Sequence, residues 1–236
     1  MADDNLPSKK SSTSDIDAFL AKVAATPVTK APGRRGRLLF ALDATASRQP
    51  TWDRAAQIQG EMFAATAGLG GLELQLAFYR GFREFKVSKW VTDSAHLLRL
   101  MTSVFCLAGQ TQIGKVLSHA INETGRDKVD ALVFVGDCVE EDVDRLGHLA
   151  GELGLLGVPA FVFHEGGDPV AGFAFKQIAK LTGGAYCPFD AGSAQVLRDL
   201  LSAVAVFAAG GRPALEDLAR RKGGDVLLIA DQMRGR

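Results

Sequence analysis

The sequence predicts an α/β domain: a doubly wound, mostly parallel sheet with one antiparallel edge strand and helices on both faces. Three observations carry this expectation. Two unbroken apolar runs, Leu38–Leu42 and Ala131–Val135, lead into Asp43 and Gly136-Asp137, and continuous apolar runs of this kind are the mark of strands covered on both faces. Segments of helical length separate the later runs, which gives the strand–helix alternation of a parallel sheet. Two further runs, Leu72–Tyr79 and Glu84–Val91, have only Arg80-Gly81-Phe82-Arg83 between them. That link is too short for a helical crossover, so the two form a hairpin.

Taken in order, residues 1–13 are polar and rich in lysine and serine, a composition that favours disorder. Ser14 stands as an N-cap, followed by Asp15 and Asp17 in a first turn and by Ile16, Phe19, Leu20 and Val23 at helical spacing. This is a short amphipathic helix, to be docked on its own domain or on a partner. Thr26 to Gly36 holds prolines, glycines and arginines and reads as a linker. The expected division is a flexible N-terminal segment over 1–36, an α/β domain over 37–211 and a C-terminal extension over 212–236. Within the domain, Trp52–Ala67 is a helix led by Pro50 and closed by Gly68. Lys86 and Lys89 suit an edge strand. Helices are expected over Asp93–Phe105, Gln112–Glu123, Glu141–Leu153, Ala171–Leu181 and Ser193–Ala208, and strands over Val158–Phe163 and Ala185–Pro188. A polar helix, Pro213–Arg221, and an apolar segment, Val226–Ala230, close the chain, and there is no internal repeat.

A chain of 236 residues, 47% of them hydrophobic, can bury a full core. The 27 basic and 27 acidic residues cancel, which removes a whole-chain electrostatic case for nucleic acid or membrane binding. Met1–Ser14 lacks the apolar run of a secretory signal, and no later run reaches bilayer-spanning length. Cys106, Cys138 and Cys187 are odd in number and widely spaced. They form neither a disulfide framework nor a zinc pattern, so a reducing, cytoplasmic setting is expected.

Ligands in doubly wound sheets bind beyond the carboxyl ends of the strands. There the sequence places Asp43-Ala44-Thr45-Ala46-Ser47, with oxygen-bearing side chains alternating with alanine. In an extended turn this aims Asp43, Thr45 and Ser47 to one side. Thr111, in Ala108-Gly109-Gln110-Thr111, stands just before a helix, and Asp137 follows the second buried strand. Hard cations such as Mg²⁺ take oxygen ligands in near-octahedral array and keep some waters. Two carboxylates and three hydroxyls leave such an ion net electrophilic, able to accept a carboxylate from outside.

Asp43-x-Thr45-x-Ser47, then Thr111 in a Gly-x-Thr-x-Ile-Gly context, then Asp137 after an apolar strand together resemble the metal-ion-dependent adhesion site of von Willebrand factor A domains. The resemblance covers roughly residues 37–210 and suggests an intracellular, bacterial-type member of this Rossmann-like family. It implies that Thr45 and Ser47 ligate the metal directly, and that Asp43, Thr111 and Asp137 do so directly or through water. It implies Mg²⁺, or Mn²⁺, with the sixth position open to water or to a partner's Asp or Glu. The implied function is metal-dependent binding of a protein without catalysis, in an assembly such as those built around AAA-type ATPases, chelatases or stress-resistance systems. Arg48, Gln49, Gln110, Cys138 and Glu140 adjoin the ligands in sequence and would form the rim. Two positions depart from the family pattern: Thr45 replaces the commoner Ser, and Cys138 stands where Gly is frequent.

Other readings compete. The oxygen-bearing residues could be turn hydroxyls and a helix cap, or a metal-free scaffold of the same fold. Gly109-Gln110-Thr111-Gln112-Ile113-Gly114-Lys115 fits most of a phosphate-binding P-loop, with Asp137 as the Mg²⁺-holding residue of an NTPase. Val116 then stands where that loop needs Ser or Thr, and Asp43, Thr45 and Ser47 go unexplained. Asp43 as a phosphatase nucleophile of the haloacid dehalogenase type lacks its second Asp, since Thr45 occupies the place. His96, His119, His148 and His164 form no catalytic pattern and read as surface or hydrogen-bonded core residues. Cys138 is either a redox-sensitive thiol or a small residue at a strand end.

Overall fold

The computed structural model describes residues 35–48, 72–93, 103–189 and 202–210, with isolated positions elsewhere. Six strands form one sheet: β1 (Gly36–Asp43), β2 (Leu72–Arg80), β3 (Glu84–Val87), β4 (Ala131–Gly136), β5 (Ala160–Glu165) and β6 (Ala185–Phe189), in the order β3-β2-β1-β4-β5-β6. All neighbours run parallel except β2 and β3. The expected edge hairpin is therefore present. The chain winds outward from β1 to β3, then returns to place β4 on the other side of β1. The sheet thus reverses direction between β1 and β4, where a crevice opens beyond their carboxyl ends.

Alternation along the strands builds two cores. Leu38, Phe40 and Leu42 of β1 join Val133 and Val135 of β4, Phe161 and Phe163 of β5, and Val204, Phe207 and Ala208 of the helical residues 202–210. Leu39, Ala41, Leu132, Phe134 and Val162 face the opposite layer. That layer is made by α1 (Ile113–Arg126), α2 (Val143–Leu155) and α3 (Pro169–Leu181). Every residue of β1 and β4 is buried, as their continuous apolar runs require. Asp142 and Asp168 cap α2 and α3 by accepting from Arg145 N and Ala171 N.

Two elements depart from expectation. The strand expected over Glu84–Val91 stops at Val87, and Val91 then pairs with Leu74. The register shifts from Ala77↔Val87 to Leu74↔Val91, so one extra residue is accommodated as a bulge. The Ser88 hydroxyl takes the Leu76 N–H there. The helix expected over Asp93–Phe105 has ended by Ser103, whose amide and hydroxyl donate back to Arg99 O and Leu100 O. A serine hydroxyl competing for a backbone carbonyl favours such an exit. The next residues run alongside the end of β1, where Leu107 N donates to Ala44 O. The expected helices Ser14–Val23, Trp52–Ala67 and Pro213–Arg221 and the segment Val226–Ala230 lie, but for isolated positions, outside the described residues, as does the first part of Ser193–Ala208.

Candidate metal centre

Asp43 ends β1 at the crevice with no exposed surface. It faces Tyr79 across the β1–β2 register, and the buried Tyr79 hydroxyl donates to Asp43 Oδ2 at 3.0 Å. Thr45 N donates to Asp43 Oδ1 at 2.8 Å, the turn that an Asp side chain makes with its own backbone two residues on. Ala44 points the other way, into the core of β1 and the 202–210 helix, so the alanine between Asp43 and Thr45 has a packing cause, whereas Ala46 is exposed. Residues Ala46–Arg48 form one 3-10 turn, not the extended segment expected. It brings Ser47 back over Thr45, with the two hydroxyls 3.1 Å apart.

Asp137 follows β4 on the neighbouring side of the crevice. Carboxylate oxygens of Asp43 and Asp137 and the Cys138 sulfur all lie within 4.8 Å of one another. Asp137 Oδ1 is buried and, among the described residues, has no hydrogen-bond partner, although a buried oxygen of this kind normally has one. Burial, and to a lesser degree the charge of Asp137, push the Asp43 carboxyl up to about 6 despite the bonds from Thr45 and Tyr79. Burial and the Asp43 charge hold Tyr79 well above the ordinary tyrosine range, so it remains a donor. Burial, then the charges of Asp137, Asp43 and Glu140, push the Cys138 thiol up to about 12. A reactive thiolate needs a lowered pKa, and these neighbours move Cys138 in the opposite direction.

Thr111 is buried and is tied to the loop after β4 rather than standing alone. Its N–H donates to Glu140 Oε2 at 2.9 Å, and its hydroxyl accepts from Glu140 N at 3.0 Å. Glu141 receives the first N–H groups of α1, from Ile113 and, at 2.8 Å, from Gly114. It serves as the acceptor that the N-cap position Gln112 does not supply. Gly109 touches the hairpin turn so closely that a Cβ there would fall 2.0 Å from Gly81 O. Of the five residues expected at the site, Asp43 and Asp137 are brought into one cluster, Thr45 is bonded to Asp43, Ser47 reaches Thr45, and Thr111 is anchored through Glu140. Tyr79 and Glu141 were not legible as site residues, because each reaches its partner through tertiary pairing and no local motif marks it. The donor set, two carboxylates with an orphaned buried oxygen between strand ends, fits a divalent cation.

The P-loop-like stretch has no strand before it: residues 104–112 are neither helix nor strand. Its Lys115 Nζ donates to Gln112 Oε1 at 2.7 Å and to Arg83 O at 3.1 Å. His96 and His148 are exposed. His119 shares a hydrogen bond with Gln75 Oε1 at 2.8 Å. His164 is buried and bonded through Nδ1 to the Tyr186 hydroxyl, and burial holds its pKa below the ordinary histidine range against the opposing pull of the Asp137 backbone.

Neither a protein-family model nor a curated protein matches the sequence. Solved structures match it in fold. The SpRpn10 VWA domain superposes with a TM-score of 0.58 at 13% identity, over 71% of this chain and 94% of that domain. Proximal thread matrix protein 1 of the mussel byssus, with a zinc-occupied MIDAS motif, gives 0.59 at 15% identity, over 72% of this chain and 46% of its own. The human COPII-coat protein Sec24c gives 0.53 at 12% identity, over 74% of this chain and 32% of its own. This chain therefore has the fold of a von Willebrand factor A domain and spans about half or less of the two longer proteins. Among the described residues, no helix is long and apolar enough to cross a membrane.

Proposed function

We propose that this protein is a divalent-cation-dependent protein-binding module without turnover of its own. The proposed ligands are Asp43, Thr45, Ser47, Thr111 and Asp137, with Mg²⁺ or Mn²⁺ as the ion the oxygen donors by themselves would suit. The observation that carries the reading is the pair of uncompensated carboxylates at the β1–β4 reversal, with Asp137 Oδ1 buried and unbonded. A bound cation supplies the positive charge this pair lacks and a coordination position for an acidic group from a partner protein. Tyr79 and Thr45 N hold the Asp43 carboxylate in place, while the Glu140 bonds hold Thr111 against the β4 loop. A cleft of about 620 Å³ between Gly81–Arg83 and Ala108–Gln112 includes Thr111 in its lining, and gives room for the chain that flanks the partner carboxylate. The zinc-occupied motif of the mussel protein supports a cation at this place in the fold, and the coat protein supports a partner of protein kind. An intracellular multiprotein assembly, with an AAA-type ATPase as one candidate member, is the setting proposed.

The test is calorimetric titration of Mg²⁺ and Mn²⁺ into the metal-stripped protein, with Asp43→Ala and ATP as controls. Ion binding that disappears in Asp43→Ala, with no heat from ATP, supports the module. ATP binding that depends on Lys115 would replace it with an NTPase.

A further inference from the structure

The oxygen donors do not exhaust the cluster. Cys138 Sγ lies within 4.8 Å of a carboxylate oxygen of Asp43 and of one of Asp137. Two atoms bound to one zinc-type ion stand about 2.0–2.3 Å from it, which in a tetrahedral array sets them roughly 3.5 Å apart. The three donors, all within 4.8 Å of one another, therefore have to close in by about 1 Å through side-chain rotation to share an ion. They converge from two strand ends: Asp43 is fixed by Tyr79 and Thr45, and Asp137-Cys138 is held at the end of β4 by the Glu140 and Glu141 bonds to the Thr111 loop. Asp137 Oδ1, buried and unbonded, is the free donor of the set.

We propose that Cys138 is itself a metal ligand and that it makes this site select Zn²⁺ over Mg²⁺. This rests on the reading of the crevice as a cation site. Carboxylate, hydroxyl and water oxygens suit Mg²⁺ and Mn²⁺, whereas thiolate sulfur selects zinc-type ions and offers little to Mg²⁺. Coordination deprotonates the thiol, so each ion bound through Cys138 passes one proton to the buffer. Thr45 and Ser47 then complete a mixed oxygen–sulfur shell that retains a position for the partner's carboxylate. A site read as magnesium-dependent from its oxygen motif becomes zinc-dependent through one residue.

The test uses the full chain, stripped of metal and kept under a non-thiol reductant, titrated with Co²⁺ as a spectroscopic stand-in for Zn²⁺. The expected result is a near-ultraviolet thiolate-to-cobalt absorption band that saturates at one equivalent and is displaced by Zn²⁺ but not by millimolar Mg²⁺. Cys138→Ser is expected to keep Co²⁺ binding by calorimetry, lose the band and release one proton fewer per ion. Its preference for Zn²⁺ over Mg²⁺ is expected to fall about 10-fold or more. Cobalt binding by the unaltered chain without the sulfur band, sensitive to Asp43→Ala, would overturn the role of Cys138 while leaving the oxygen site standing. No Co²⁺ binding that Asp43→Ala alters would overturn both. A sulfur band that persists in Cys138→Ser would assign the ion to Cys106 or Cys187 and end the proposal.

Discussion

Strand β1 carries a buried charge near each end, and the two ends treat it in opposite ways. Arg37, near the amino end, lies 3.1 Å from Asp127 Oδ2, 3.5 Å from Glu73 Oε2 and 3.7 Å from Glu123 Oε2, with its guanidinium 3.9 Å from the Trp90 ring centre. Glu123 in turn accepts from Trp90 Nε1 at 2.7 Å and from Arg126 at 2.8 Å. Burial pushes the Glu123 carboxyl up, but the Trp90 bond and the neighbouring His119 and Arg126 more than reverse this. At the carboxyl end Asp43 meets another carboxylate, a thiol and a tyrosine hydroxyl, and its pKa moves the other way. A buried charge neutralised by its own chain belongs to the architecture; one left unneutralised marks a candidate site for an ion or a ligand.

The contrast can be broken from either end. The largest effect expected is loss of the heat of divalent-ion binding in Asp43→Ala, read by calorimetry, while Glu123→Ala leaves that heat intact. Glu123→Ala removes one of the three carboxylates around Arg37 and the acceptor of Trp90 Nε1, and is expected to cost about 1–3 kcal/mol of stability, read as a lowered urea midpoint with an unchanged slope.

The pH dependence has a definite sign. Asp43 is raised from the ordinary 3.8 to about 6, so the protonated form is the one the metal-free fold favours. The contribution is fully present below about pH 4 and is lost as the pH rises through about 6. The metal-free protein should therefore lose on the order of 3 kcal/mol relative to Asp43→Asn between these limits. Paired urea titrations measure it. With saturating cation the loss should vanish, because the ion favours the carboxylate. A metal-free difference that grows in favour of the unaltered chain as pH rises would refute the uncompensated pair.

Smaller effects sharpen the picture. Tyr79→Phe removes the bond to Asp43 Oδ2 and is expected to weaken cation binding about 10–100-fold without abolishing it. Glu141→Ala leaves the first amides of α1 without their acceptor and should cost about 1–2 kcal/mol, seen as a lowered thermal midpoint.

How much of this could be read from residues follows from the range of the interactions. Leu38–Leu42 and Ala131–Val135 were legible because burial on both faces forces a continuous apolar run, and the four residues Arg80–Arg83 permit only a hairpin. Asp43 and Thr45 stand out because Ala44 packs inward between them, whereas Ser47 follows the exposed Ala46 in a 3-10 turn where no period of two holds. The bulge at Ser88 and the exit at Ser103 were not legible, since each depends on which carbonyl or amide a neighbouring segment leaves free. Tyr79 read only as a strand residue, and its bond to Asp43 exists because the β1–β2 register sets them opposite. Glu141 was assigned to the start of its own helix, yet it terminates a different one.

The Thr111–Glu140 pair of bonds and the Glu141 grip on α1 join two loops that are distant in sequence. The amides of Thr111 and Glu140 should consequently exchange with solvent deuterium through one shared opening, and those of Ile113 and Gly114 through the release of Glu141, read as matching opening free energies within each pair. The same linkage limits how such a chain can diversify. An insertion in Ala108–Gln112 or in Cys138–Asp142 would pull the two loops out of step, and the hairpin turn Gly81–Arg83 shares the constraint because Gly81 packs against Gly109 and Arg83 O accepts from Lys115 Nζ, so there only the solvent-exposed Phe82 side chain is open to change.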